Sequence, residues 1–391
     1  MILICICYGD YGNDMIEINE NFDFKTFKRI IGKKVNINPA YICIEKGDKE
    51  INGISSSTIS SHGICHGDTL NISEIPKENR REIEKEEDES MKLKNFNMQL
   101  ALSKQSNPQS FATTTMILIR CRVNNEVDVR GLVDSGADST CITERLAKRC
   151  KLDHLINTDI NEYACGMESQ KILGRIENFP IHISGKSFKI CVKVLDKLPT
   201  EILFGLDFLK GFKCTLDMVR NTLVFGTLNM ETPFLLESEL KRTRNRTRQE
   251  AETSDESQIP YTIERQSETT RQMLFIDCKI NNCHTKAFVD SASHETYISE
   301  RFAKFCQIDH LIDTRFKSQA TGIGSKTVVG QIHSLQLQIA GLSFTTPVRV
   351  LESVNKDIIV GLNFLKINQF HINLEKNILG NKNGETTFIK C

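Results

Sequence analysis

Several features that would point quickly to a function are missing from this chain. No apolar run approaches the ~20 residues a membrane-spanning helix needs, so no membrane contact is expected. The N-terminus has no basic region ahead of an apolar block, and no secretory signal is expected. Fifty basic residues balance fifty acidic ones, so bulk electrostatics give no reason to expect nucleic acid or an anionic membrane as partner. The 14 cysteines are scattered, without a CxxC pair. In a chain without a signal they read as reduced, buried, small apolar residues rather than a disulfide framework, which places the protein in the cytosol or nucleus. No HExxH occurs, so no zinc-protease site is expected. What remains is a soluble globular composition, 39% apolar and 26% charged, in 391 residues, enough for two to four domains.

The first 76 residues read as one small domain. Met1–Cys7 and Met15–Ile18 have strand composition, with a polar turn between them. Phe24, Phe27, Ile30 and Ile31 follow at helical spacing after Asn21 and Asp23, and Pro39 is expected to end that helix. Tyr41–Ile44 and Thr69–Ile72 supply two more strands. Strand, strand, helix, strand, strand is the β-grasp order. The stretches NINPAYICIEKGDKEI and SSHGICHGDTLNISEI resemble the second half of a ubiquitin-like domain. The segment runs on as SEIPKENRRE without a terminal Gly-Gly, so conjugation is not expected. The resemblance implies a docking module for the proteasome or for ubiquitin-pathway partners. Residues 77–113 follow as a charged linker, opening on KENRREIEKEEDE, which reads as a solvated helix or spacer.

The rest of the chain is organised around a duplication. GLVDSGADST at 131–140 returns as AFVDSASHET at 287–296. The shift between Asp134 and Asp290 is 156 residues, the same separation as Ser135 and Ser291. It also carries Asp153-His154-Leu155-Ile156 onto Asp309-His310-Leu311-Ile312 and Gly205-Leu206-Asp207-Phe208-Leu209 onto Gly361-Leu362-Asn363-Phe364-Leu365. The unit, roughly 110 residues, can bury its own core. The copies are assigned to 114–229 and 271–391, and short strands with frequent turns make both mainly β. Between them, 230–270 is a second charged linker, basic at Lys241–Arg248 and acidic at Glu250–Glu256, read as a solvated spacer.

An Asp-Ser-Gly turn alone is unremarkable, because Asp and Ser bond nearby backbone and Gly bends freely. Here three elements recur in order: the Asp turn, a glycine hairpin (YACGMESQKILGR; ATGIGSKTVVGQ) and an apolar-apolar-Gly run (ILFGLDFL; IIVGLNFL). This pattern resembles the retropepsin-like aspartic proteases, and within them the DNA-damage-inducible family that places a ubiquitin-like domain ahead of a retropepsin domain. The expected architecture is therefore a mainly β multidomain chain, a β-grasp domain followed by two tandem acid-protease β-barrels. The resemblance implies an aspartic endopeptidase acting on polypeptide substrates without cofactor or metal. Asp134 and Asp290 would be the catalytic carboxylates, and Ser135, Gly136 and Ser291 would support the loops. Gly166, Met167, Gly322 and Ile323 would lie in flaps over the substrate.

Two carboxylates close together cannot both ionise easily, so one proton is shared between them. Such a pair can take a proton from water and give one to a carbonyl oxygen. A retropepsin domain supplies one Asp, so two domains must meet. Either Asp134 pairs with Asp290 within one chain as a pseudo-dimer, or Asp134 pairs across a homodimer. The family pattern breaks at Ala292, where it has glycine. A methyl there is expected to obstruct substrate or to strain a backbone that wants positive φ, at a cost of order 1 kcal/mol. That departure keeps a second class open, a non-catalytic protease-like adaptor in the ubiquitin–proteasome pathway.

Overall fold

The computed structural model describes residues 1–9, 12–51, 57–106, 108–111, 115–160, 162–165, 169–241, 260–262, 272–322 and 324–389. The chain divides into two compact units, Met1–Asn95 and Phe96–Cys391.

In the first unit, alternation of apolar and polar residues builds a five-stranded sheet. Ile2–Tyr8 lies between Gly12–Ile18 (antiparallel) and Thr69–Glu74 (parallel), and Ile42–Lys46 and Lys49–Glu50 continue it. The inward set, Ile4, Ile6, Ile18, Ile42 and Leu70, packs on Phe24, Phe27 and Ile31 of the helix Phe24–Val35. Each such side chain contributes about 1.5–3 kcal/mol by leaving water. Asp23 caps the helix by accepting from the Thr26 N–H at 2.6 Å. The helix does not run on to Pro39: it stops at Val35, where Asn36 takes the left-handed conformation, and Pro39 opens a separate short turn. This strand order around one helix is the β-grasp fold. The helix Arg80–Ser106 begins in this unit and ends in the second, so much of the charged stretch is helical.

The second unit contains two closed six-stranded barrels. Around the first, Gly174–Ile183, Leu118–Val123, Val127–Val133, Ile202–Phe204, Cys141–Thr143 and Lys186–Leu195 pair in turn, and the last pairs back with the first. The second repeats this with Phe275–Ile280, Cys283–Val289, Ile358–Val360, Tyr297–Ser299, Leu342–Leu351 and Gly324–Ile339. The stretch assigned to the spacer is not all linker: Met230–Pro233 is a strand paired with Thr222–Phe225, Glu237–Lys241 is a short helix, and Tyr261–Thr262 adds a parallel strand to Lys186–Leu195, with Tyr261 on Phe188.

A third sheet joins the copies. Met230–Pro233, Thr222–Phe225 and Cys214–Asp217 continue into His371–Asn373, Ile378–Asn381 and Gly384–Thr387. Its central pairing sets Leu216 opposite Ile372, residues related by the repeat, so a pseudo-two-fold axis passes there. Both are fully buried, and one apolar cluster runs through the two barrels. Two lysines clasp the copies reciprocally: Lys210 Nζ donates to the Gln272 carbonyl, and Lys366 Nζ, its repeat mate, to the Thr115 carbonyl at 2.8 Å.

The copies differ beside the second barrel. Asp313, Gln331 and His333 are buried together, with His333 Nε2 at 2.9 Å from Asp313 Oδ2 and Arg315 donating to both Asp313 oxygens at 2.8 and 2.6 Å. The end of the helix Arg80–Ser106 joins them: Ser103 Oγ donates to the His333 carbonyl at 2.7 Å, and Asn97 Oδ1 accepts from Arg315 Nη1 at 2.9 Å. The first copy has Asn157, Asp159, Arg175 and Glu177 at the corresponding positions. Burial pushes the Asp313 carboxyl up, but the Arg315 and His333 hydrogen bonds outweigh it and hold the group at about 2. A carboxyl lowered by folding stabilises the native state above its unfolded value near 3.8, and that stability is lost as pH falls toward about 2. Asp313→Asn should therefore cost on the order of 2 kcal/mol at pH 6. The difference from the parent chain should fade below pH 3 in parallel denaturant titrations.

Candidate active site

Each Asp turn is built the same way. The Asp134 N–H donates to Phe204 O and the Asp290 N–H to Val360 O, both at 3.0 Å, which ties each turn to the apolar-apolar-Gly strand beside it. Thr140 and Thr296 brace the other side, their hydroxyls accepting from the Gly205 and Gly361 N–H groups at 3.2 Å. The glycines are needed for that approach. A Cβ on Gly205 would stand 2.5 Å from the Ser139 carbonyl oxygen, and one on Gly361 would stand 2.0 Å from the Glu295 carbonyl oxygen.

The turns meet across the pseudo-two-fold axis. The Ser135 N–H donates to Ser291 Oγ at 2.9 Å, and the Ser291 N–H donates to Ser135 Oγ at 3.0 Å. Each hydroxyl then donates onward, Ser135 to Val289 O at 3.0 Å and Ser291 to Val133 O at 2.9 Å. Both serines are fully buried, so all four bonds form away from water, where an unmade bond costs about 1–3 kcal/mol. This closed ring fixes the two loops rigidly.

The two carboxyls lie near enough for the charge of Asp290 to act on Asp134. Within its own turn, Asp134 Oδ1 accepts from the Gly136 N–H at 2.7 Å, and Asp290 Oδ1 accepts from the N–H groups of Ala292 and Ser293 at 2.9 and 3.1 Å. Burial first, then the neighbouring Asp290 charge, push the Asp134 carboxyl well above the usual carboxylate range. Burial raises Asp290 too, opposed by those two N–H groups and by the charge of Lys356. Burial therefore disfavours the charged form of both carboxyls.

Gly136 and Ala292 correct one expectation. Neither has a positive φ, so Ala292 carries no left-handed strain. The glycine serves proximity instead: a Cβ on Gly136 would lie 2.6 Å from Asp290 Cγ.

Of the hairpin residues, Gly322 ends the strand Ser318–Gly322, which pairs with Gly324–Ile339 in five successive positions. Gly166, Met167 and Ile323 lie outside the described residues. The arms of the first hairpin, Tyr163–Cys165 and Ser169–Lys171, form a separate two-stranded ribbon. Its base packs through Ala164 and Ile172 on Cys141 and Leu195, and the repeat mates Ala320, Val328, Tyr297 and Leu351 form the matching cluster. Each hairpin is thus anchored to the strand that leaves an Asp turn. Sequence reasoning passed over Thr140/Thr296 and Lys210/Lys366. The signal was present, since both pairs are polar residues kept at the same shift.

A family model described as aspartyl protease matches residues 108–217 and again 266–373, more than half of the chain. The chain belongs to the aspartyl protease family. Its similarity to "Protein DDI1 homolog 2" of Mus musculus is 34% identity over 153 residues, 39% of this chain and 38% of that protein. With "Protein DDI1 homolog 1" of Homo sapiens it is 32% over 160 residues, 41% of this chain and 40% of that one. The matches therefore span less than half the length of these relatives. Among solved structures, the retroviral protease-like domain of Ddi1 from Leishmania major is 32% identical, covering 30% of this chain and 96% of that chain with a TM-score of 0.28. Each of the two family matches contains one of the two Asp turns.

Proposed function

We propose that this chain is an aspartic endopeptidase whose dyad, Asp134 with Asp290, is assembled within one polypeptide. The observation that carries the reading is the pair itself: two neighbouring carboxyls from repeat-related turns, their turns locked together by the Ser135–Ser291 ring. A water between the carboxyls loses a proton to the ionised one as it attacks the peptide carbonyl. The protonated one gives its proton to the carbonyl oxygen, and the tetrahedral intermediate collapses as the amine leaves with a proton. The substrate is a polypeptide bound over the two Asp turns, beside the hairpins anchored next to them. The β-grasp domain serves as a docking module for the proteasome or for ubiquitin-pathway partners, in the cytosol or nucleus.

The test is cleavage of a mixed peptide library between pH 3 and 7, parent chain against Asp134→Asn. Products from the parent alone, with a bell-shaped pH dependence, are expected. Equal signal from both proteins would leave the adaptor reading in place.

A further inference from the structure

The two hairpins are held differently. The first, Tyr163–Cys165 with Ser169–Lys171, is a ribbon outside the barrel sheet, whereas the arm Gly324–Ile339 of the second runs on as one strand into its barrel. The turn Thr314–Phe316 leads into the other arm, Ser318–Gly322, and is gripped twice. In the first grip, Arg315 Nη1 donates to Asn97 Oδ1 at 2.9 Å while Nε and Nη2 hold the buried Asp313, and the Phe316 ring stands edge-on to the buried His333 at 5.0 Å. In the second, Arg349 Nη1 donates to the Phe316 carbonyl at 3.1 Å and Nε to Glu295 at 3.2 Å. Glu295 belongs to the Asp290 turn: its carbonyl accepts from Ser293 Oγ at 3.2 Å, and the Ser293 N–H donates to Asp290 Oδ1 at 3.1 Å. Hydrogen bonds and short pieces of chain thus run without a break from the end of the helix Arg80–Ser106 to the Asp290 carboxyl. The first copy is built otherwise. It has Asp159, Ile160 and Ser139 where the second has Arg315, Phe316 and Glu295, and its Lys193, the mate of Arg349, pairs with Glu162 at 3.0 Å.

We propose that Asn97, Arg315 and Arg349 form a brace by which the end of the helix fixes the base of the second hairpin relative to the Asp290 turn, and so sets how tightly that hairpin holds a peptide. The effect on peptide rests on the proposed protease reading; the brace itself does not. A guanidinium is suited to the task because its planar fork fixes direction as well as distance. Arg315 spends two donors on Asp313 and a third on Asn97, so the turn cannot swing without breaking one of them. Arg349 reaches a carbonyl on the hairpin side and a carboxylate on the Asp290 side at once, which the single ammonium of a lysine does less well. Ser103, donating to the His333 carbonyl at 2.7 Å, gives the helix a second fixed point on the same network. These are positioning residues, since none of them touches the reacting groups.

Amide hydrogen exchange on the full-length chain, followed by mass spectrometry, tests the brace. In Asn97→Ala the amides of Ser318–Gly322 and 324–328 should exchange about tenfold faster, the factor expected for one lost hydrogen bond to a charged group. The arms Tyr163–Cys165 and Ser169–Lys171 and the barrel strand Phe275–Ile280 should keep the parent's rates, which a general loss of stability would not allow. Asn97 is exposed, so the variant should fold. Asn97→Asp keeps an acceptor oxygen for Arg315 and should restore the parent's protection. Arg349→Met removes the other grip and should loosen the same two arms. With a peptide substrate, Asn97→Ala should raise KM by up to about tenfold while kcat stays near the parent's, the mark of lost binding rather than lost chemistry. Unchanged exchange at the second hairpin, equal loosening of both hairpins, no rescue by Asn97→Asp, or an unchanged KM in a chain that cleaves overturns the brace. Exchange does not require turnover, so the expected protection pattern in a protein that cleaves nothing would sink the protease reading and leave the brace standing.

Discussion

Asp290→Asn should lower kcat by roughly 10²–10⁴-fold, the range that general acid–base groups supply, in a sample that is monomeric throughout. The fold should survive, because Asn keeps the volume of Asp and its side-chain oxygen can still accept from the Ala292 and Ser293 N–H groups. The reason for the loss is chemical. Two acids share one proton, and an amide can neither release nor take one at mild pH. The result also separates the two ways of completing the site. If Asp134 instead pairs with Asp134 of a second chain, Asp290→Asn keeps its activity, and specific activity rises with protein concentration. In the parent chain specific activity should be flat over a hundredfold dilution, with the mass in solution followed by light scattering. The central sheet argues for the first outcome: Leu216 faces Ile372 within the same chain, on strands that a homodimer would have to pull apart.

That geometry was partly readable from the amino acids. The duplication was visible because packing restricts which residues can occupy its key positions. Gly205 and Gly361 touch the neighbouring backbone, Ser135 and Ser291 are locked in a buried ring, and neither pair can vary freely. The β-grasp order was readable because its inward residues alternate at strand and helix periods. What stayed hidden depends on residues far apart in the chain. Ser103, Asp313 and His333 become neighbours only when the helix Arg80–Ser106 reaches the second barrel, and no local pattern announces that. The short strand Tyr261–Thr262 lies in a segment whose composition reads as spacer, and its pairing comes from the edge at Phe188 rather than from its own sequence. Ala292 suggests from sequence either obstruction of substrate or backbone strain, the latter because glycine suggests positive φ. The crowding lies across the axis, which only the assembled pair reveals.

That crowding gives the second large effect, a marked inequality between two substitutions that look symmetric on paper. In Gly136→Ala the new methyl is forced against the Asp290 carboxyl, 2.6 Å from Cγ, well inside contact distance. The carboxyl cannot retreat cheaply, because its Oδ1 is pinned by two backbone N–H groups and its loop by the serine ring. Overpacking of this kind costs about 1–3 kcal/mol of stability, and a displacement near 1 Å at a reacting group costs about 10²-fold in rate. Ala292→Gly runs the other way. It removes a methyl from a residue whose φ is not positive, so backbone freedom in the unfolded chain should cost at most about 1 kcal/mol, with kcat near that of the parent. Thermal unfolding and kcat for both variants, measured at the pH optimum of each, decide the matter. Were Gly136→Ala as active as the parent, the tight approach of the two turns would be wrong. A pair of carboxyls held loosely enough to admit that methyl could not share a proton.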